Sequence, residues 1–102
     1  MELRAYQAYR APELEIRYWR TASGFEVDFL LDDRRLAIEV KSGRVHQTDL
    51  KGLSALSDDA PVGRRMVVCL EKSPRELTDR HGPVQLLPLD EFVRQLWAGE
   101  LI

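Results

Sequence analysis

The chain has 102 residues, of which 44% are hydrophobic and 31% charged, and this length suits one domain and excludes a two-domain machine. Its single cysteine, Cys69, excludes a disulfide scaffold. The longest unbroken apolar run covers residues 66–70, far short of the ~20 residues of a membrane helix, and residues 1–4 do not resemble a secretory signal. We therefore expect a cytoplasmic protein that does not enter a membrane.

The charge is balanced overall and uneven locally. With 15 Lys and Arg against 17 Asp and Glu, the net charge of -2 argues against a protein that holds nucleic acid by bulk positive charge. The segment from Arg34 to Lys51 contains five basic residues and two acidic ones. This middle segment is either a surface that contacts phosphate or an ordinary solvated surface.

The chain opens with a predicted helix over residues 1–10, in which Leu3, Tyr6 and Tyr9 recur at helical spacing until Pro12 ends the pattern. No Ser, Thr, Asp or Asn cap precedes Glu2. The helix therefore belongs either to a short natural protein or to a fragment of a longer chain.

Three predicted strands follow the helix. Residues 15–20 alternate in the manner of a strand and lead into a turn at residues 21–24. Residues 25–31 and 36–41 predict two more strands, which the polar residues 32–35 join into a hairpin.

The second half predicts two helices and two strands. Thr48 is the expected cap of a helix that carries leucines at helical spacing and ends before Pro61. Residues 66–70 predict a strand buried on both faces and reached by a parallel crossover, and residues 83–87 predict a final strand before an amphipathic helix over residues 90–98. The order predicts an α/β or α+β domain with helices packed on a sheet.

Acidic residues meet in the predicted hairpin. With a turn centred between residues 33 and 34, Asp28 lies opposite Glu39, and Glu26 lies opposite Lys41. Strict alternation places residues 26 and 28 on one face of the strand and residues 27, 29 and 31 on the other.

This pairing is unfavourable without a counter-ion. Directly opposed residues have β-carbons about 5 Å apart, and like charges at that distance destabilise a hairpin. Mg²⁺ is commonly bound by one or two carboxylates with water, and a neighbouring ammonium group stabilises charge that develops during phosphodiester hydrolysis. Asp28, Glu39 and Lys41 meet these needs; the alternative is an exposed polar face on which Glu26 pairs with Lys41.

These residues also carry a resemblance. Residues 24–29, Gly-Phe-Glu-Val-Asp-Phe, followed by residues 38–41, Ile-Glu-Val-Lys, resemble the signature of the PD-(D/E)XK nuclease superfamily. Together with residues 18–21, Tyr-Trp-Arg-Thr, and 49–53, Asp-Leu-Lys-Gly-Leu, they are similar to the DUF4143 domain, and the similarity extends over nearly the whole chain. That domain typically forms the C-terminal part of predicted AAA+ ATPases.

The resemblance implies a restriction-endonuclease-like α/β fold, in which a hairpin brings the acidic residues and the lysine to one end of a mixed sheet flanked by helices. It implies that Asp28 and Glu39 are metal ligands for Mg²⁺ or Mn²⁺ and that Lys41 is the catalytic lysine. A further ligand would come from the first helix, where Glu2 is the candidate, with Glu26 as the alternative. Gln47 or Lys51, near the second helix, would assist.

The chain departs from this family in lacking the Gly-x-x-x-x-Gly-Lys-Ser/Thr loop, so ATP binding is not assigned to it. We expect residues 1–102 to be one domain, the C-terminal fragment of a longer AAA+ ATPase, with DNA and the ATPase domain as partners. The first hypothesis is a metal-dependent endodeoxyribonuclease. The second is a binding module that retains the fold without catalysis and recognises DNA or docks on the ATPase, and the third is a purely structural role.

Overall fold

The molecule is a three-layer arrangement with a sheet between helices. A computed structural model describes the backbone of residues 2–101 and the side chains of residues 3–101. The three helices are α1 (Glu2–Arg10), α2 (Lys51–Asp59) and α3 (Leu89–Trp97), and a short 3-10 turn, Gln47–Leu50, precedes α2. The six strands are β1 (Ile16–Arg20), β2 (Glu26–Leu31), β3 (Leu36–Val40), β4 (Arg64–Cys69), β5 (Arg75–Asp79) and β6 (Gly82–Pro88).

The sheet is mixed, with the strand order β1-β2-β3-β4-β6-β5. Strands β1, β2 and β3 form an antiparallel meander, β4 lies parallel to β3 and β6 lies parallel to β4, and β5 closes the far edge antiparallel to β6. The predicted α/β class and the parallel crossover through α2 are confirmed.

Two apolar clusters cover the two faces of the sheet. On one face α1 and α3 contribute Leu3, Tyr6, Phe92 and Leu96, which pack with Ile38 and neighbouring strand residues. On the other face α2 contributes Leu53 and Leu56. Strand β4 supplies side chains to both clusters because it is covered on both faces, as its unbroken apolar sequence predicts.

The hairpin has the predicted register where its strands pair. Phe29 lies opposite Ile38 and Leu31 opposite Leu36, as a turn centred between residues 33 and 34 requires. Asp32 and Asp33 adopt left-handed φ angles of 50° and 63°, and aspartate tolerates this conformation better than most residues.

Strict alternation along β2 is wrong, because the strand contains a bulge. On β1, Arg17 and Trp19 are two residues apart, whereas their partners on β2, Leu30 and Val27, are three residues apart. Strand β2 therefore carries one extra residue. Val27 therefore packs in the cluster on the α2 side, whereas Phe29 packs against the opposite cluster. The irregularity includes Asp28 and Phe29, which lie between the two paired positions.

Two further expectations about local structure are wrong. Residues 75–79 form strand β5, whose mixed polar sequence gave no strand pattern because only Leu77 packs on the core. Thr48 does not cap α2. It lies inside the 3-10 turn, where the Asp49 carboxylate accepts a hydrogen bond from the His46 backbone N–H at 2.7 Å.

The three helices contain nine residues each. Across the residues that the structure describes, no helix has the length and apolar character needed to cross a membrane.

Candidate functional site

Asp28, Glu39 and Lys41 line one cavity, of about 360 Å³, at the end of the sheet where β3 finishes and α2 begins. Glu26 and Asp49 line it as well. The structure thus brings the three residues predicted to be catalytic into one place. In mixed sheets such a place, beyond the carboxyl end of a parallel strand, is where ligands commonly bind.

Glu39 is the buried member of this group. It is 5% exposed and lies on the α2 side of the sheet, since it alternates with Ile38 on the opposite face. Its Oε2 atom is the single buried side-chain N or O atom without a hydrogen-bond partner among the described side chains. Buried polar atoms are normally partnered, so this oxygen is available to a ligand.

The surroundings of Glu39 disfavour its charged form. Burial raises the pKa of its carboxyl group from 4.5 to about 7, and the negative charges of Asp28, Asp49 and Glu26 add to this effect. The ammonium group of Lys41 acts in the opposite direction. The charged form of Glu39 is therefore stabilised by any additional positive charge that enters the cavity.

Lys41 stands beside Glu39 on the same side of the sheet. Its Nζ atom lies 3.9 Å from Glu39 Oε2, and its side chain is 41% exposed. The Lys41 backbone N–H donates to the carbonyl of Val68 at 3.0 Å, which fixes the residue just beyond the end of β3. The ammonium group therefore reaches the cavity from a rigid anchor.

Asp28 enters the cavity in a different way from the one predicted. The paired residues of β2 and β3 end at Phe29 and Ile38, so Asp28 and Glu39 do not continue the ladder as a directly opposed pair. Instead, Asp28 Oδ2 accepts a hydrogen bond from the Val40 backbone N–H at 2.8 Å, in the place where a strand carbonyl would otherwise act. This hydrogen bond holds the Asp28 carboxylate against β3, and the charge of Asp28 acts on Glu39.

Gly52 permits the close approach of α2 to this site. A β-carbon at position 52 would lie 2.3 Å from the Glu26 carbonyl oxygen and 2.4 Å from Glu39 Oε1. Neither distance is compatible with any side chain. Gly52 is thus required for α2 to cover Glu39, a role that the sequence does not reveal.

The turn before α2 and the start of α2 add side chains to the cavity, of which only Asp49 was given no role by the sequence analysis. Asp49, Thr48 and Lys51 line the cavity, and the negative charge of Asp49 contributes to the raised pKa of Glu39. Lys51, proposed from the resemblance, is thus present. Gln47 instead lines a neighbouring cavity, and its side-chain amide donates to the Thr78 carbonyl.

The other predicted acidic ligands have different outcomes. The side chain of Glu2 lies outside the described residues. Glu26 lines the cavity, but its ion pair is with Arg20, at 3.8 Å, so the alternative in which Glu26 pairs with Lys41 is wrong. Lys41 pairs with Glu39.

The donor set fits a divalent cation in charge and chemistry. Four carboxylates and two ammonium groups line the cavity, an excess of two negative charges when all are ionised. Within the described part of the chain, no three His, Cys, Asp or Glu side chains are close enough to hold a metal ion by themselves. Mg²⁺ commonly keeps several waters and uses one or two carboxylates, so Asp28 and Glu39 suffice for this mode of binding.

Four of the five basic residues between Arg34 and Lys51 form ion pairs. Arg34 pairs with Asp59 at 2.5 Å and also donates to the Leu56 and Ala60 carbonyls at the end of α2. Arg35 pairs with Asp32 and Arg44 with Glu71. Lys51 is exposed and forms no ion pair with the described side chains.

These features define a mixed α/β domain with a carboxylate and lysine cavity at the end of its central sheet. The chain belongs to the DUF4143 family, since the family model described as "Domain of unknown function (DUF4143)" matches residues 1–92. The predicted resemblance to DUF4143 is thereby confirmed. No curated protein matches the sequence.

Proposed function

We propose that this domain is a metal-dependent nuclease of the PD-(D/E)XK superfamily, with a restriction-endonuclease-like fold, that hydrolyses phosphodiester bonds in DNA. The observation that carries the proposal is the buried Glu39 carboxylate, which has one oxygen without a hydrogen-bond partner and lies beside both Lys41 and Asp28. The cytoplasmic location expected from the sequence is part of this proposal.

The proposed roles follow from the geometry of the cavity. Asp28 and Glu39 would hold Mg²⁺ or Mn²⁺, because both residues line the same cavity and the charge of Asp28 acts on Glu39. The chemistry that such a cation supplies when bound is polarisation of the phosphodiester and a more acidic water molecule. The Lys41 ammonium, next to Glu39, would stabilise the negative charge that develops on the phosphate.

Support for the fold assignment comes from the hairpin. Strands β2 and β3 bring Asp28, Glu39 and Lys41 to one end of a mixed sheet, which is the arrangement that the superfamily resemblance implies. The resemblance also implies a partner, and we propose that this partner is an AAA+ ATPase domain of the same parent protein.

A second function is a module that binds DNA or docks on the ATPase without catalysis. It is favoured by the lack, among the described residues, of three ligating side chains close enough to hold a metal ion by themselves. The net charge of -2 favours its ATPase-docking form, since it argues against holding DNA by bulk positive charge. Affinity for DNA that survives EDTA and falls steeply with salt, without cleavage, would support this second function.

The test combines cleavage with cation binding. Purified protein is incubated with supercoiled plasmid and branched DNA in Mg²⁺ or Mn²⁺, in parallel with Asp28→Asn and Lys41→Ala. We expect cleavage by the wild-type protein and loss of about 100-fold or more in each variant, as for removal of a group that stabilises the transition state. Mn²⁺ titration by calorimetry should show a site that Asp28→Asn abolishes.

Matched controls are available away from the cavity. Asp33→Asn and Lys72→Ala change exposed residues of the same types and should leave both readouts unchanged. Equal cleavage by the wild-type protein, Asp28→Asn and Lys41→Ala would refute the assigned roles. A folded wild-type protein that neither cleaves DNA nor binds Mn²⁺ would refute the nuclease function itself.

A further inference from the structure

A second cavity adjoins the candidate site. It has a volume of about 470 Å³ and lies along the outer side of the 3-10 turn and α2, where Gln47, Leu50 and Ala55 form part of its wall. Phe25, Thr48 and Lys51 line both this cavity and the candidate site, so the two cavities are direct neighbours. We call it the Phe25 cavity.

Phe25 presents an aromatic ring to this space from a fixed position. The residue is 40% exposed and directly precedes β2. Its backbone is held on both sides by Thr21, whose N–H donates to the Phe25 carbonyl at 2.8 Å and whose hydroxyl accepts from the Phe25 N–H at 3.1 Å. The ring is therefore presented by a closed turn, not by a loose loop.

The charges of the Phe25 cavity favour an anionic ligand. Asp79, in its wall, is neutralised by Arg65 through two hydrogen bonds of 2.6 Å, and Asp58 is bonded to Arg80 and His81. Lys51 lines the cavity and forms no ion pair with the described side chains.

Aromatic surface beside a free ammonium group matches a nucleotide. Unpaired bases stack on exposed aromatic side chains in proteins that bind single strands, and a basic residue contacts the phosphate that links them. The bases of an intact duplex are stacked on their own neighbours and do not offer a face to a protein ring.

We propose that the Phe25 cavity is a subsite for an unpaired nucleobase next to the phosphate under attack, so that the domain acts on single-stranded or locally unpaired nucleic acid. In this arrangement the base stacks on Phe25, and Lys51 contacts the phosphate between the two cavities. This inference rests on the proposed function and names its substrate class.

The test measures binding to three probes by fluorescence anisotropy in Ca²⁺, which allows cation-dependent binding without relying on turnover. The probes are a labelled 12-nucleotide oligo-dT strand, a 12-nucleotide strand of the same length with abasic sites, and a 12-base-pair duplex. The proteins are the wild type, Phe25→Ala and Phe25→Tyr, with Tyr18→Ala as the matched control because Tyr18 is an exposed aromatic residue, 66% exposed, outside both cavities.

We expect the wild-type protein to bind oligo-dT more tightly than the abasic strand or the duplex. Phe25→Ala should weaken oligo-dT binding about fivefold or more, the loss typical of one stacked base, and leave abasic binding unchanged. Phe25→Tyr should restore the affinity. Thermal unfolding of each variant shows that the fold is retained.

The two proposals fail in different ways. Equal oligo-dT affinity of Phe25→Ala and Tyr18→Ala, in proteins whose cleavage still depends on Asp28, overturns the subsite and leaves the nuclease standing. No cleavage and no binding of any probe by the folded wild-type protein overturns the nuclease proposal, and the subsite with it.

Discussion

Replacing Glu39 by glutamine should stabilise the domain at alkaline pH when no divalent cation is present. Burial is the main reason that the pKa of Glu39 rises from 4.5 to about 7. Because the folded state holds this proton more tightly than the unfolded state, ionisation of Glu39 destabilises the fold progressively from pH 4.5 to about 7 and by a constant amount above that.

The size of the effect follows from the same values. A pKa difference from 4.5 to about 7 corresponds to about 3 kcal/mol of unfolding free energy at pH 8. A buried amide without a partner itself costs about 1 kcal/mol. We therefore expect Glu39→Gln to raise the unfolding free energy at pH 8 by about 2 kcal/mol, or the midpoint temperature by about 8 °C or more for a chain of this length.

The assay is urea unfolding followed by tryptophan fluorescence, in EDTA, between pH 5 and pH 8. Glu13→Gln is the control, since Glu13 is exposed. The gain from Glu39→Gln should be largest at pH 8 and should shrink towards pH 5, where the wild-type carboxyl group is protonated in the folded state. A gain that is absent at pH 8, or the same at every pH, would refute the assigned burial and charge of Glu39.

Two further variants test the packing around the site. Gly52→Ala should destabilise the domain by about 2 kcal/mol or more, because its methyl group would lie 2.4 Å from Glu39 Oε1. The control is Gly43→Ala, which has open space around it and should change the unfolding free energy little in the same urea assay. Equal effects of the two substitutions would contradict the packing. Asp79→Asn should cost about 3 kcal/mol at pH 7 because it leaves a buried guanidinium unpaired, whereas Asp33→Asn should be neutral. The ion pair with Arg65 lowers the pKa of Asp79. The loss of unfolding free energy in Asp79→Asn should therefore be complete above pH 4 and should decline as acid protonates the Asp79 carboxylate of the folded wild-type protein. Acid titration followed by circular dichroism measures this loss, and a loss independent of pH would contradict the pairing.

The sequence predicted the strands and helices whose patterns arise from burial. Residues 66–70 are continuously apolar because β4 is covered on both faces, and the observed strand lies within two residues of that prediction. Strand β5 gave no such signal, because only one of its five residues, Leu77, packs on the core. Its place is set by pairing with β6, a contact that the local sequence does not encode.

The site was predicted by residue type and not by geometry. Period-two alternation correctly placed Glu39 and Lys41 on one side of β3, because that strand is regular. Alternation failed on β2, where the bulge at Asp28 changes the facing of every residue before it. The burial of Glu39 depends on the approach of α2 at Gly52, and this close contact is a property of the packed structure alone.

Three departures from ordinary folding rules meet at one cavity. Glu39 is a buried carboxylate with an oxygen that has no hydrogen-bond partner, and Asp28 lies at a bulge that interrupts the hairpin ladder. Gly52 lies in the first turn of α2, although glycine favours a helix less than most residues do. The unpartnered carboxylate disfavours the fold by itself, and Gly52 is needed only because α2 packs closely against Glu26 and Glu39, so the stability of the sheet alone does not explain the arrangement. Sequences break local rules mainly where function requires it, and the coincidence of all three around Lys41 therefore supports a ligand-binding role for this cavity over a purely structural one.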